Sequence, residues 1–415
     1  MGMRNIVGPI PDPDELYGRE ELLDYLWRQM SGCNILLLAP RRFGKSGIMR
    51  HVLERPRDGY LPLDFELEDV TTPQEFIWRL TEKVLRQDVL RSTLHKARRL
   101  PGALAAWVKD TFDEIEFQGA KAKFKQDIQD DWRQTASRMI VEFEKADPTL
   151  IFILDEFPAM IENIVAHSGE AVAEEFLAWF RTIRLHQKDR LRRHRFIVAG
   201  SIGIDTVIRR LNIADPLLDF QRIYVEPIPT PDAQQLAKDL AGTLEISWTD
   251  SLETEFLQLL GANVPYFIHM FFSQLGQLPI RNRKNLSVED LHRTYQDQLL
   301  GSFCKHYFQH YSSRLHRLGK SGEKAAMAIL RTVAGSLNGR VSRSALFDVY
   351  RKARGRKATD LEFDELLGDL EHDWYLGLDP NTNEYHFKLK IIQDWWHRWY
   401  PTPASRRPLK GRKTS

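Results

Sequence analysis

Cysteine is scarce in this sequence: Cys33 and Cys304 are the only two in 415 residues. Two thiols build no disulfide framework, and a reducing, cytoplasmic setting is expected. Long apolar runs are also missing. No stretch reaches the roughly 18 consecutive apolar residues that a spanning helix needs, so no membrane partner is expected. The opening MGMRNIVGPIPDPDE has no apolar segment and turns acidic early. It carries neither a secretory signal nor the Ser/Thr of a myristoylation signal after Gly2. Excess charge is lacking too, with a net of +2. Hydrophobic residues are not lacking: at 42%, with 11% aromatic, they fill real cores, and the length fits two or three domains.

The near-zero charge hides an asymmetry. Residues 301–415 hold 21 Lys/Arg against 12 Asp/Glu, a net of +9, so the first 300 residues carry −7. Two bodies with different partners are implied.

Asn34-Ile-Leu-Leu-Leu-Ala-Pro40 is a short unbroken apolar run, the mark of a strand buried on both faces of a parallel sheet. Similar runs lie at Leu61–Leu67, Leu150–Phe157, Arg195–Ser201 and Arg222–Ile228. Helical patterns separate them at Pro73–Leu90, Trp132–Lys145 and Glu170–Leu185. Strands alternating with helices predict an α/β fold with right-handed crossovers. Residues 91–131 form an irregular insertion of mixed charge. After Ile228 the strand signals stop. Thr230-Pro231-Asp232 reads as a helix start with Thr230 as N-cap, and Ser287-Val-Glu-Asp290 approximates a capping box.

The last hundred residues predict helices at Gly322–Ala334, Ser342–Lys352 and Asp360–His372. A hairpin, Trp374–Leu378 with Tyr385–Lys390, follows around Asp379-Pro-Asn-Thr-Asn383. Three helices and a β-wing describe a winged helix-turn-helix. The expected divisions are a core at 1–228, a helical lid at 229–300, a winged helix at 301–400 and a basic, disordered tail at 401–415.

Ala39-Pro-Arg-Arg-Phe-Gly44-Lys45-Ser46 follows a predicted strand and opens a predicted helix, Gly47–Glu54. In that context the residues form a phosphate-binding loop. Backbone N–H groups of Pro40–Gly47 converge with the helix N-terminus on an anion; Pro40, Arg41, Arg42, Phe43, Gly44, Lys45, Ser46 and Gly47 are the expected cradle, Pro40 contributing no N–H of its own. Gly44 allows close approach, Lys45 reaches the β/γ-phosphates and the Ser46 hydroxyl ligates Mg²⁺. Ala39 stands where the usual pattern has its first Gly, which is acceptable only where φ is negative. A second signal is Thr149-Leu-Ile-Phe-Ile-Leu-Asp155-Glu156, a buried strand ending in acids. Asp155 is expected to hold Mg²⁺, mostly through water, and Glu156 to polarise the attacking water as general base. A third is Phe196-Ile-Val-Ala-Gly-Ser201-Ile-Gly203, where Ser201 is placed to sense a γ-phosphate, although a plain turn explains the same residues.

With these motifs in place the chain resembles the archaeal-type ATPases of the STAND and origin-recognition branch of AAA-related P-loop proteins. Further residues carrying the likeness are Leu16-Tyr-Gly18-Arg19-Glu20 and Gly261-Ala-Asn-Val-Pro265-Tyr266, and the likeness spans about residues 14–275. The resemblance implies a sheet of order 5-1-4-3-2, ATP as nucleotide and a helical lid. It also implies that Gly18 and Arg19 border the adenine and that Pro265 packs on the base. An arginine finger supplied in trans by a second copy would come from the basic stretch Arg181–Arg195, and no single residue there is singled out. The expected activity is a Mg²⁺-dependent ATPase acting as a molecular switch that couples ATP or ADP to lid and winged-helix orientation and to assembly with a protein partner or its own copies. The alternative is a DNA-binding, DNA-stimulated ATPase of origin-recognition type.

For DNA, Arg351-Lys-Ala-Arg-Gly-Arg-Lys357 and the tail offer phosphate contacts. The third helix carries Glu362, Asp364, Glu365, Asp369 and Glu371 and has no Arg, Asn or Gln to address base edges. Non-specific rather than sequence-specific DNA contact is the expectation.

Overall fold

The computed structural model describes all residues except 1–3, 6, 88–131, 144–147, 186–193, 202, 212, 356–357 and 402–415. The whole of the 91–131 insertion, the basic tail beyond Pro401 and two residues of the basic loop therefore lie outside the described residues. The chain forms two compact units: Pro11–Val225, and Met1–Ile10 together with Glu226–Ser415.

The first unit runs α1 (Glu20–Met30), β1 (Asn34–Ala39), α2 (Lys45–Glu54), β2 (Tyr60–Glu66), α3 (Pro73–Leu85) and α4 (Trp132–Phe143). It continues through β3 (Thr149–Asp155), α5 (Phe157–Ser168), α6 (Glu170–Leu185), β4 (His194–Ser201), α7 (Ile204–Arg210) and β5 (Phe220–Tyr224). The sheet order is β2-β3-β4-β1-β5 with every neighbour parallel, which is the expected 5-1-4-3-2 order read from the other edge. Its central strands β1, β3 and β4 are largely apolar because both faces are covered, while the edge strands β2 and β5 carry polar side chains such as Asp64, Glu66 and Arg222. Leu36, Phe152 and Val198 pack with Phe76 of α3, Met139 of α4, and Phe176 and Phe180 of α6 in one core. Ile35 and Leu37, also fully buried, alternate to the opposite face.

Two apolar runs overshoot their strands by two residues or more. β3 stops at Asp155, not Phe157, because Glu156 takes a left-handed backbone (φ 52, ψ 35) that ends the strand and serves as the N-cap position of α5. β5 ends at Tyr224. Val225 still donates to Leu38 O at 2.8 Å, whereas Ile228 donates to Asn263 O within the second unit. Its apolarity belongs to that unit's core.

The second unit begins with α8 (Thr230–Thr243), α9 (Asp250–Leu260), α10 (Pro265–Leu275), α11 (Ile280–Lys284) and α12 (Val288–Arg293), then a π-helical turn at Thr294–Leu299. Thr230 is not the N-cap: Pro229 holds that position, and the Thr230 hydroxyl instead accepts from Asn263 Nδ2 at 3.2 Å. The capping box at Ser287–Asp290 is formed. There follow α13 (Lys305–Ser313), α14 (Gly319–Ala334), β6 (Arg340–Ser342), α15 (Arg343–Arg354) and α16 (Asp360–His372). β7 (Leu376–Asp379), β8 (Glu384–Phe387) and α17 (Lys390–Trp399) complete the unit. β6, β8 and β7 make a three-stranded antiparallel sheet.

α17 fastens the two halves of this unit together. Trp395 and Trp396 are fully buried. Tyr295 Oη donates to Asp394 Oδ2 at 2.8 Å, Arg398 to Gln296 O at 2.6 Å and Trp399 Nε1 to Leu300 O at 3.0 Å. Gly261 (φ +70) lies so close to this helix that a Cβ there would sit 2.5 Å from Lys390 Cβ. Within the same unit, His269 Nδ1 is 3.1 Å from Asn5 Oδ1, tying the N-terminal stretch to α10.

The acids of α16 are partly consumed internally. Arg354 donates to Glu362 at 3.0 Å and Arg343 to Asp364 at 2.5 Å, while Asp369 is buried. Glu365 remains exposed.

Candidate functional site

The C-terminal edge of a parallel sheet is where strand ends, loops and helix N-termini meet. In the first unit β1 leads into the loop 40–44 and then α2. Ala39 is the last residue of β1 and is not among the positive-φ residues, so alanine is accommodated at that position. The left-handed positions of the loop are Arg42 (φ 75) and Gly44 (φ 91). An arginine in this region is strained by about 1–3 kcal/mol, a cost seen where backbone geometry serves a site. Phe43 is fully buried and anchors the loop from below, while Arg41 and Arg42 are exposed.

Lys45 and Ser46 open α2. Lys45 Nζ lies 2.9 Å from Asp155 Oδ1 and 3.7 Å from Glu156 Oε1. The three side chains are only partly exposed, at 10%, 27% and 24%. Asp155 Oδ1 also accepts from Glu156 N at 2.8 Å. Residues 110 positions apart in sequence thus meet at one point. An ammonium held by two carboxylates is poised to exchange them for a polyanion, because either arrangement keeps its charge compensated.

The other strand ends come to the same place. Ala39 pairs in register with Ser201, so the candidate sensor lies at the neighbouring strand end, next to the loop. Glu66 pairs with Asp155 at the end of β2, an exposed acid that no sequence motif marks. Gly200 makes the arrangement sterically feasible. A Cβ there would sit 2.3 Å from Pro158 Cδ, so only glycine lets the first turn of α5, immediately after Asp155-Glu156, lie against β4.

The stretch before α1 is brought to the loop as well. Gly47 faces Leu16 and Pro11, whose atoms would be 3.0 and 3.2 Å from an added Cβ. Arg50 pairs with Asp12 at 2.8 Å. Gly18 turns the chain with φ +59, and Arg19, only 4% exposed, donates from Nη2 to Phe43 O at 3.0 Å. Burial lowers the Arg19 guanidinium to about 10, so it remains charged at neutral pH. Nothing in the local pattern of the sequence reveals this contact across 24 residues; an arginine followed by a helix start reads as surface. Pro265 opens α10 in the second unit, half-buried.

The basic stretch Arg181–Arg195 is not one solvated face. Arg184 is 1% exposed, chelated by Asp219 at 2.8 and 3.0 Å, and lies over the rings of Phe180 and Phe220. Arg195 donates to Met30 O at 2.7 Å and Ser31 O at 3.0 Å. Both serve the fold. Arg190, Arg192 and Arg193 lie outside the described residues.

No protein-family model matches the sequence, and no curated protein does. Solved structures do. A Walker-type ATPase of Pyrococcus abyssi superposes with a TM-score of 0.59 at 17% identity, covering 95% of this chain and 99% of that one. The ORC2 protein of Aeropyrum pernix, in its ADPNP–ADP complexes, gives 0.53 at 13% identity, covering 94% and 96%. The fold is that of the P-loop ATPases. At such identities the likeness speaks for the fold, and the chemistry rests on the residues present here.

Those residues suit a hard divalent cation. The hydroxyl of Ser46 and the carboxylate of Asp155 are the oxygen donors Mg²⁺ takes, and they stand at the mouth of a loop suited to its phosphate partners. Among the described residues no cluster of three His, Cys, Asp or Glu side chains offers a competing metal site. Also among them, no helix is long and apolar enough to cross a membrane.

Proposed function

We propose that the chain is a Mg²⁺-dependent ATPase of origin-recognition type, binding ATP on the loop Ala39–Ser46. The convergence of Lys45 with Asp155 and Glu156 at the sheet's C-terminal edge carries this reading. The adenine nucleotides in the complexes of the A. pernix ORC2 protein, which shares the fold, support ATP as the ligand.

In this reading the loop amides and Lys45 hold the β- and γ-phosphates, and Ser46 and Asp155 hold the ion. Bound Mg²⁺ supplies charge neutralisation for the phosphoryl group in flight. Glu156 orients and deprotonates the attacking water, and its left-handed backbone turns its carboxylate away from the strand and toward Lys45. Ser201 reads the presence of the γ-phosphate. Gly18 and Arg19 on the core and Pro265 on the lid are assigned to the base by resemblance alone. The functional divisions are the core at 11–225 in place of the expected 1–228, the lid at 226–300 and the winged helix at 301–400, the last supported by the order α14-β6-α15-α16-β7-β8.

DNA is the better supported macromolecular partner. Residues 301–415 carry a net +9, and Arg343 and Arg354 compensate two of the α16 acids that would otherwise repel a duplex. A second reading, a nucleotide-driven switch with a protein partner, is favoured by one observation: α17 couples the lid to the winged helix, so a displaced lid carries the winged helix with it.

ATP turnover tests the proposal. Lys45→Ala should abolish nucleotide binding. Glu156→Gln should bind ATP normally while turnover falls by about 10²–10⁴-fold. Unchanged turnover in Glu156→Gln would remove that residue from the chemistry.

A further inference from the structure

We infer that Arg19 is a positioning residue for phosphate binding, which locks one peptide plane of the phosphate loop from beneath. The inference rests on the nucleotide reading above and replaces a contact with the base by one with the loop.

Three observations converge. Gly18 adopts a left-handed turn, φ +59, that sends Arg19 inward at the start of α1 rather than outward as a helix-start arginine would go. The guanidinium is 4% exposed and donates from Nη2 to Phe43 O at 3.0 Å, a buried bond between segments 24 residues apart. The acceptor belongs to the peptide linking fully buried Phe43 to Gly44, the left-handed residue directly before Lys45.

A trans peptide is planar, and its C=O and N–H point to opposite edges. Holding Phe43 O toward Arg19 therefore directs the Gly44 N–H away from it, to the side where the loop must meet an anion. Glycine at 44 leaves this peptide free to rotate, because neither sign of φ is penalised. This plane lies directly before the key lysine, and the bond from Arg19 holds its carbonyl in place. Its buried positive charge also adds to the potential behind the loop. A side chain that bordered the base would need its donor groups or its face toward the nucleoside; here Nη2 is engaged with the loop.

Calorimetric titration of the full chain with Mg-ADP, Mg-ATP and Mg-GTP tests this. Arg19→Met keeps the apolar stem and removes the donor. It should weaken Mg-ADP and Mg-ATP alike by about tenfold or more, with the ATP-over-GTP preference unchanged. Arg19→Lys, whose ammonium reaches nearly as far, can still donate to Phe43 O and should stay within about threefold of the parent. This variant also decides the matter if Arg19→Met fails to fold by circular dichroism. Equal affinity in a folded Arg19→Met, loss in a folded Lys variant as large as in Met, or a change confined to the ATP-over-GTP ratio would each overturn the inference. An unmodified chain that binds none of the three nucleotides would instead overturn the nucleotide reading itself.

Discussion

Gly200 shows how much of the site depends on one missing atom. Asp155 and Ser201 end adjacent parts of the sheet, but the chain leaving Asp155 must turn at Glu156 and start α5 without colliding with β4. The 2.3 Å gap between Pro158 Cδ and a built Cβ at Gly200 leaves room for hydrogen only. Gly200→Ala should therefore cost about 1–3 kcal/mol and reduce ATP turnover, because the strand end carrying Ser201 shifts away from the loop. Pro158→Ala in the same chain should restore much of both. Thermal denaturation and turnover of the single and double variants measure it, and additive effects would mean the two residues do not act through this contact. The residue scale is also where sequence reading reached least far. Asp155 and Glu156 were legible because the five-residue apolar run Leu150–Leu154 ends in them. The clash at Gly200 and the bond from Arg19 join residues 42 and 24 positions apart, and no local pattern encodes such a distance.

At the scale of elements, strand and helix identities followed from apolar periodicity, and errors fell where an apolar residue serves a different neighbour. Phe157 continues the β3 run in composition but begins a helix, since the left-handed turn at Glu156 has no signature in a non-glycine residue. Arg184 sits in a charge run yet is buried between α6 and the loop before β5. Its pairing makes a second prediction. Burial pushes the Asp219 carboxyl up, but the hydrogen bonds and charge of Arg184 outweigh it and hold Asp219 below its ordinary value. A lowered folded value means that the stabilisation is fully present above the ordinary carboxylate range and is lost as pH falls through the folded value. Asp219→Asn leaves a buried guanidinium short of a counter-charge and should destabilise the first unit by about 3 kcal/mol at neutral pH. The gap to the parent should narrow below about pH 4 in urea melts. A gap independent of pH would refute the charge pairing as its source.

For the whole molecule, the charge split, −7 over residues 1–300 and +9 over residues 301–415, concentrates positive charge where a polyanion would be met. If the C-terminal unit contacts a duplex through phosphates, affinity for random-sequence DNA should fall steeply between about 50 and 200 mM salt, and ATP turnover should rise on DNA. Retention that ignores salt, or turnover that ignores DNA, would favour the protein-partner reading. All of this presupposes the nucleotide. The most direct test is calorimetric titration of ATP and ADP into the folded chain, with and without Mg²⁺. Saturable one-site binding in the micromolar range or tighter with Mg²⁺, weaker ATP binding without it, and none in Lys45→Ala are the expected results. Folded protein that takes up neither nucleotide in the presence of Mg²⁺ would contradict the nucleotide reading.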